Sequence, residues 1–234
     1  MQSDRLEIVF ARNDEYLWGD NVPTVNLTLN SRQIHKWKSR QTALFLLTQL
    51  FEKYQLDKSL LNNIQKTSTG RPFVTDERID FNISHSGDWV AVIFSYSSHK
   101  KVVGIDIEVP KKTRRYKALL DYYASELEKD YLLKDPDKLV EHFYLSWCLR
   151  EAILKSQGVG IVKLREVSHS PTQKTIECKY CPTGRLHFFN QLPFYLCYFF
   201  EGSAVPEISQ YHQGNLQKIE KILPLVYQVN KEKQ

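Results

Sequence analysis

Two stretches of this chain decide its reading, Gly104-Ile105-Asp106-Ile107-Glu108 and, about forty residues on, Trp147-Cys148-Leu149-Arg150-Glu151-Ala152-Ile153-Leu154-Lys155. The first sits in a β-branched run over 101–109 that reads as a strand, where alternate side chains share a face. Asp106 and Glu108 therefore point the same way. At about 3.3 Å rise per residue their Cβ atoms lie roughly 6.6 Å apart. At an effective dielectric of about 20 two such charges repel by about 2.5 kcal/mol, which a divalent cation would remove.

The second stretch reads as a helix. Leu145, Cys148, Leu149, Ala152 and Ile153 recur at the spacing of a buried stripe. Trp147, Glu151 and Lys155 follow one another at i, i+4, i+8 on the neighbouring stripe, beside Tyr144. A carboxylate on that boundary, with a ring one turn before it and an ammonium one turn after it, is sheltered from water and therefore tunable. If the helix crosses the strand, Glu151 joins Asp106 and Glu108, and three oxygen ligands with open positions suit Mg²⁺. A plainer reading fits the same residues: Asp-x-Glu as a strand's solvent face, and Glu151 with Lys155 as an ordinary helix ion pair.

At 234 residues the chain can bury a sizeable core, as one domain or two small ones. It contains no apolar run long enough to span a bilayer and no signal-peptide pattern at its N-terminus, so the expectation is a cytoplasmic protein without membrane contact. Four cysteines do not make a disulfide framework. Cys178-Lys179-Tyr180-Cys181 has a metal-like spacing, with His169 and His187 flanking it, but a second close pair is missing. The net charge of +5 is concentrated in two basic runs, 31–40 and Lys111-Lys112-Thr113-Arg114-Arg115. Such runs attract phosphates or acidic protein faces, and they also serve as solvated helix ends. No nucleic-acid-reading motif accompanies them.

Hydrophobic periodicity and turn residues predict the following order. A strand at 5–11 is followed, after Pro23 and a polar segment, by helices at 38–53 and 59–64. Strands at 80–84, 89–95 and 101–108 come next, the first two joined by a hairpin over 84–88. Helices at 117–123, 125–133 and 136–156 follow, the second headed by the Ser125/Glu128 capping box. Strands at 162–169, 175–181 and 192–200 and a polar, Lys-rich tail from about Pro206 complete the chain. The order is similar in both halves, which points to a duplicated α+β unit, divided here as 1–103 and 104–234.

Taken together, Gly70-Arg71-Pro72, Phe81-Asn82-Ile83-Ser84-His85-Ser86-Gly87, Gly104 to Glu108, and Phe143-Tyr144-x-x-Trp147-x-x-Arg150-Glu151-Ala152-x-x-Lys155 with Gly158-x-Gly160 resemble the 4′-phosphopantetheinyl transferases of the surfactin-synthetase-activating (Sfp) type. The resemblance spans Gly70 to Gly160. It implies an α+β pseudo-dimer of two similar halves with the active site in the cleft between them, acting as a monomer. It implies an enzyme, a holo-acyl-carrier-protein synthase, that moves the phosphopantetheine arm of coenzyme A onto a serine of an apo acyl or peptidyl carrier protein and releases 3′,5′-ADP. Carriers of this kind are small acidic helical domains of fatty-acid, polyketide or nonribosomal-peptide synthesis, and the run 111–115 is the candidate surface for them.

By the same resemblance, Asp106, Glu108 and Glu151 match the ligands of Mg²⁺, with Mn²⁺ as a second candidate metal. Lys155 matches the lysine near the α-phosphate. Ser84 and His85 match a phosphate-meeting pair, and Arg71 and Pro72 fall where the adenosine end is held. Arg40 resembles a basic residue of the first helix, with Arg32 and Lys36 as weaker matches for the 3′-phosphate. Glu151, Lys155 and His85 are thus the catalytic candidates. Glu151 could take the serine proton directly or through water, a role that competes with metal ligation. Arg150 stands where the family usually has lysine, a change from point donor to planar fork that bears on phosphate contacts or carrier preference. Two other readings remain: a non-catalytic coenzyme A or nucleotide binder, and another Mg²⁺-dependent phosphotransferase.

Overall fold

The computed structural model describes residues 4–15, 29–111 and 113–230. Pro23 and Lys112, both used above, lie outside them. The chain runs β1 (Arg5–Arg12), α1 (Ser31–Lys53), a 3₁₀ turn (Lys58–Asn63), β2 (Gln65–Lys66), β3 (Pro72–Phe73), β4 (Ile79–Ser86), β5 (Trp89–Tyr96) and β6 (Val103–Glu108). Then come α2 (Tyr116–Tyr123), α3 (Glu126–Leu132), α4 (Leu139–Ser156), β7 (Val167–Ser170), β8 (Thr175–Cys178), β9 (Gly184–Phe189), β10 (Tyr195–Phe200), β11 (Glu207–His212), β12 (Asn215–Lys218) and β13 (Leu225–Val229). The class is α+β, as expected.

Apart from the short β2–β3 pair there are two sheets, of order β12-β11-β1-β5-β4 and β6-β10-β9-β13-β8-β7. Each carries one long helix. Leu46, Leu47, Leu50 and Phe51 of α1 pack on Val9, Val92 and Phe94 of the first sheet. Cys148, Leu149, Ala152 and Ile153 of α4 pack with Leu186, Phe188, Cys197 and Phe199 of the second. A third cluster joins the sheets, with Ile8, Phe10, Ala91 and Ile93 facing Val103, Ile105, Ile107, Leu196 and Tyr198.

Three expectations are corrected. Helix α1 starts at Ser31 instead of 38, because Asn30 and Gln33 close a reciprocal capping box at 3.0 and 2.9 Å. Residues 161–166 form a 3₁₀ turn instead of a strand. Ile161 and Val162 face solvent while Leu164 is buried, a pattern that strand alternation does not produce. The polar tail is a folded part of both sheets. β11 pairs in parallel with β1, β13 lies between β9 and β8, and Gln213 and Gly214, at φ 48° and 82°, make the two-residue hairpin turn between β11 and β12.

Candidate active site

Strand alternation sorts β6. Val103, Ile105 and Ile107 enter the core between the sheets, leaving Gly104, Asp106 and Glu108 on the face toward α4. Helix α4 crosses that face at Gly104, where a Cβ would lie 2.1 Å from the Ala152 carbonyl oxygen and 2.7 Å from the Ser156 Cβ. Only a residue without a side chain permits the approach. Glu151 and Lys155, either side of Ala152, are thereby brought to the two strand carboxylates.

The Lys155 ammonium lies 3.3 Å from Asp106 Oδ1. Ser84 Oγ donates to that same oxygen at 3.1 Å, Ser86 Oγ donates to Glu108 Oε2 at 3.0 Å, and Arg114 lies 3.6 Å from Glu108. Asp106 Oδ2 and Glu151 Oε1 are buried without a hydrogen-bond partner. Burial pushes the Asp106 carboxyl upward against the opposing pull of Lys155. It raises Glu108 too, helped by the Asp106 charge. Glu151 is pushed up to about 7, first by burial and then by repulsion from Asp106 and Glu108.

Among the described residues no three His, Cys, Asp or Glu side chains stand assembled as a metal cluster. The positive charge beside Asp106 is the Lys155 ammonium. The donor set nevertheless fits a hard divalent cation: two orphaned buried oxygens, a third carboxylate next to them, and mutual repulsion that a cation relieves.

The remaining predicted residues divide. His85 lies on β4 next to Ser84, so strand geometry turns the two to opposite faces. Ser84 is buried in hydrogen bonds with Asp106 and the Ile107 N–H, whereas His85 opens to solvent. The protein mass around the His85 ring holds its pKa below the ordinary value, and the charges of Lys155, His35, Lys36 and Arg40 add to this. The first helix thus brings its basic run to the same place as Lys155, a setting suited to anions. Lys36, Arg40 and Arg32 are themselves exposed.

Arg71 is buried and committed to Asp80, which it meets at 2.7 Å, and to the Val103 carbonyl at 3.2 Å. Pro72 starts β3 and is half-buried. Of the run 111–115, Lys111 pairs with Asp88 at 2.9 Å and Arg114 lies over the Tyr144 ring and against Glu108.

Arg150 does not face the cleft. Its guanidinium is buried, meets both Glu128 oxygens at 2.8 and 2.5 Å, and lies over the Tyr123 ring. The expected bearing of this residue on phosphate contacts or carrier preference is therefore corrected: its fork is used inside the protein.

Sequence reasoning missed the seam that joins the two sheets. Strand β6 has one edge paired with β10, and its other edge would expose a row of N–H groups. Asp80, Asn82, Ser84 and Ser86, alternate residues of β4, accept from the N–H groups of Val103, Ile105, Ile107 and Val109 at 2.9 to 3.1 Å. Polar residues at period two inside an otherwise apolar strand were the signal available for it.

A family profile described as the 4′-phosphopantetheinyl transferase superfamily matches residues 102–209. A Haemophilus influenzae protein, provisionally named a 4′-phosphopantetheinyl transferase, is 45% identical over 205 residues, covering 87% of this chain and 86% of its own. The 4′-phosphopantetheinyl transferase Sfp of Bacillus subtilis is 33% identical over 134 residues, 56% of this chain and 57% of its own. The 4′-phosphopantetheinyl transferase AcpT of Escherichia coli K12 is 37% identical over 108 residues, 43% of this chain and 53% of its own. With a relative this similar over nearly its whole length, and with the site assembled on the seam between two sheets, the chain belongs to the 4′-phosphopantetheinyl transferase superfamily.

Proposed function

We propose that this protein transfers the 4′-phosphopantetheine arm of coenzyme A to a serine of an apo acyl or peptidyl carrier protein, releasing 3′,5′-ADP, in a Mg²⁺-dependent reaction. The observation that carries the reading is the pair of orphaned buried oxygens, Asp106 Oδ2 and Glu151 Oε1, set beside Lys155. A buried polar atom without a partner costs free energy unless a ligand meets it.

Asp106, Glu108 and Glu151 would hold the cation. When bound, it neutralises charge on the pyrophosphate oxygens. Lys155 stabilises the departing phosphate, which accumulates charge as the bridging P–O bond breaks. His85, with Lys36 and Arg40 behind it, binds coenzyme phosphate oxygens, and Pro72 borders the adenosine end, with Arg71 fixing that loop through Asp80. Glu151 receives the serine hydroxyl proton as the hydroxyl oxygen bonds to phosphorus. Burial and the neighbouring carboxylates, which hold Glu151 at about 7 in the metal-free protein, favour its taking that proton, while ligation of the cation opposes it. Lys111 and Arg115 are offered to the acidic face of the carrier. The protein is proposed to work in the cytoplasm as a monomer of two halves divided near residue 103, with β11 and β12 returning to complete the first sheet. No helix of the described residues is long and apolar enough to cross a membrane.

The test is intact-mass spectrometry of a panel of apo acyl and peptidyl carrier proteins incubated with the protein, coenzyme A and Mg²⁺. The expected result is a gain of one phosphopantetheine arm on at least one carrier, lost on chelation and slowed at high salt or by Lys111→Glu with Arg115→Glu. Coenzyme A binding with no gain on any carrier would leave a binder in place of the enzyme.

A further inference from the structure

Cys178 and Cys181 lie toward the far side of the second sheet, at the end of β8, one strand in from its edge. β8 is four strand steps from β6, roughly 19 Å at about 4.8 Å per step, so the proposed active site makes no use of them. Cys178 ends β8, and the Lys179-Tyr180 turn brings Cys181 back until its Sγ is 3.7 Å from the Cys178 carbonyl oxygen. Asn230 clamps the turn from the end of β13. Its Nδ2 donates to the carbonyls of Cys178 and Cys181 at 2.9 and 2.8 Å and lies 3.8 Å from Cys181 Sγ, while its Oδ1 accepts from the Cys178 N–H at 2.9 Å. Both thiols are free but largely buried, Cys178 2% and Cys181 8% exposed, beneath an open cleft of about 940 Å³ that also includes Glu166, Lys179 and Asn230.

The neighbourhood is not that of a metal site. His169 is held by Glu128 at 2.7 Å, and His187 stacks on Tyr198. The hydrogen bond from Cys181 draws the Cys178 thiol below the ordinary thiol value, and Cys181 moves upward in return. Burial instead raises Cys148 and Cys197 well above the ordinary thiol value, inside the α4 core. All four thiols are buried, but only Cys178 and Cys181 adjoin one another in a clamped turn that borders a cleft, while Cys148 and Cys197 lie within the α4 core.

We propose that Cys178 and Cys181 form a redox-active dithiol whose oxidant is a low-molecular-weight disulfide. The Cys178 thiolate attacks one sulfur of that disulfide, whose S–S bond breaks to release one small thiol carrying the proton from Cys178. Cys181 then gives up its proton and attacks Cys178 Sγ, displacing the second small thiol. Two electrons and two protons pass from the pair to the small disulfide. The clamped turn keeps the second thiol beside the first, so the mixed disulfide resolves within the chain.

The experiment exposes the reduced full-length protein to a series of reduced and oxidised glutathione ratios, followed by acid quench, alkylation, intact mass and peptide mapping. The expected result is loss of two alkylation sites, mapped to a Cys178–Cys181 bridge, while Cys148 and Cys197 alkylate only after unfolding. Cys181→Ser should accumulate a glutathione adduct on Cys178, and Cys178→Ser should react at least ~10-fold more slowly than the wild type. Phenylarsine oxide, a probe of adjacent dithiols, should bind the wild type one to one and neither variant. Two thiols that stay alkylatable under oxidant sufficient to bridge them in the unfolded chain would overturn the proposal. So would a bridge to Cys148 or Cys197, or a wild type that fails to bind the arsenical.

Discussion

Arg150 and Glu151 are neighbours on α4, yet they belong to two buried carboxylate clusters of opposite character. On one side Glu128 is fully satisfied. It meets the Arg150 guanidinium with both oxygens and accepts from Ser146 Oγ and His169 Nδ1, each at 2.7 Å. Burial alone would raise its pKa, but the hydrogen bonds from His169 and Arg150 more than offset this and hold it at about 2. His169, buried, has its own pKa lowered and donates to Glu128 as a neutral ring. On the other side Asp106 and Glu151 each keep an oxygen without a partner, and the carboxyls rise instead. A rotation of about 100° per residue is all that separates the two. The Glu128 carboxylate is filled by the protein and holds the fold together, whereas Asp106 and Glu151 keep oxygens that the proposed function gives to a ligand.

The sharpest way to break this comparison is to remove one residue from each cluster. Arg150→Ala leaves Glu128 charged in the core without its guanidinium partner, and it should lower unfolding stability by about 3–5 kcal/mol in a denaturant titration. The fraction that stays folded should retain its turnover. Glu151→Gln should leave stability unchanged or higher and reduce turnover by about 10² or more in the carrier assay. The reverse pattern, stability kept and activity lost in Arg150→Ala, would place that guanidinium on the substrate after all.

A second test uses pH on the metal-free protein. Glu128 is depressed from 4.5 to about 2, so its contribution to stability is complete above pH 4.5 and is lost as pH falls through 2. Glu151 is raised from 4.5 to about 7, so its contribution is complete below pH 4.5 and is lost as pH rises through 7. The alkaline loss amounts to at most roughly 3 kcal/mol, at about 1.4 kcal/mol per pH unit between those limits. Thermal melts from pH 4 to 9 in chelator should show this decline in the wild type and a smaller one in Glu151→Gln, where Asp106 and Glu108 remain raised. A decline of equal size in both would mean that Glu151 is not the titrating group.

The contrast between the clusters also marks what the sequence could show. Asp106, Glu108, Glu151 and Lys155 were legible because their grouping follows from local periods, two residues in the strand and 3.6 in the helix, plus one helix–strand crossing. The buried stripe Leu145 to Ile153 was legible for the same reason. The Glu128–Arg150 pair spans 22 positions and three elements, and nothing in the spacing of either residue announces the other. Arg71 was read as a ligand for adenosine, and only its tertiary partner Asp80 reveals where its charge is used. The strands after Pro206 were hidden by composition, since Ile208 and Tyr211 of β11 are separated by Ser209 and Gln210 and point to opposite faces, and β12 is exposed throughout.

Gly104→Ala gives the smallest expected effect and sharpens the comparison most, because it alters neither cluster's chemistry. The added methyl meets backbone, the Ala152 carbonyl, and so cannot be relieved by a rotamer change. Helix α4 must move away from β6, at a cost of about 1–3 kcal/mol by analogy with overpacked cores. The Glu128–Arg150 pair joins α4 to α3 on a face turned away from the Gly104 crossing, and its hydrogen bonds should persist. The distance from Glu151 to Asp106 and Glu108 should grow, easing the repulsion that raises the Glu151 pKa. Gly104→Ala should therefore shift the alkaline decline in metal-free stability toward lower pH while leaving the acid limb in place. If both limbs move together, the two clusters are coupled through the helix and the division drawn between them fails.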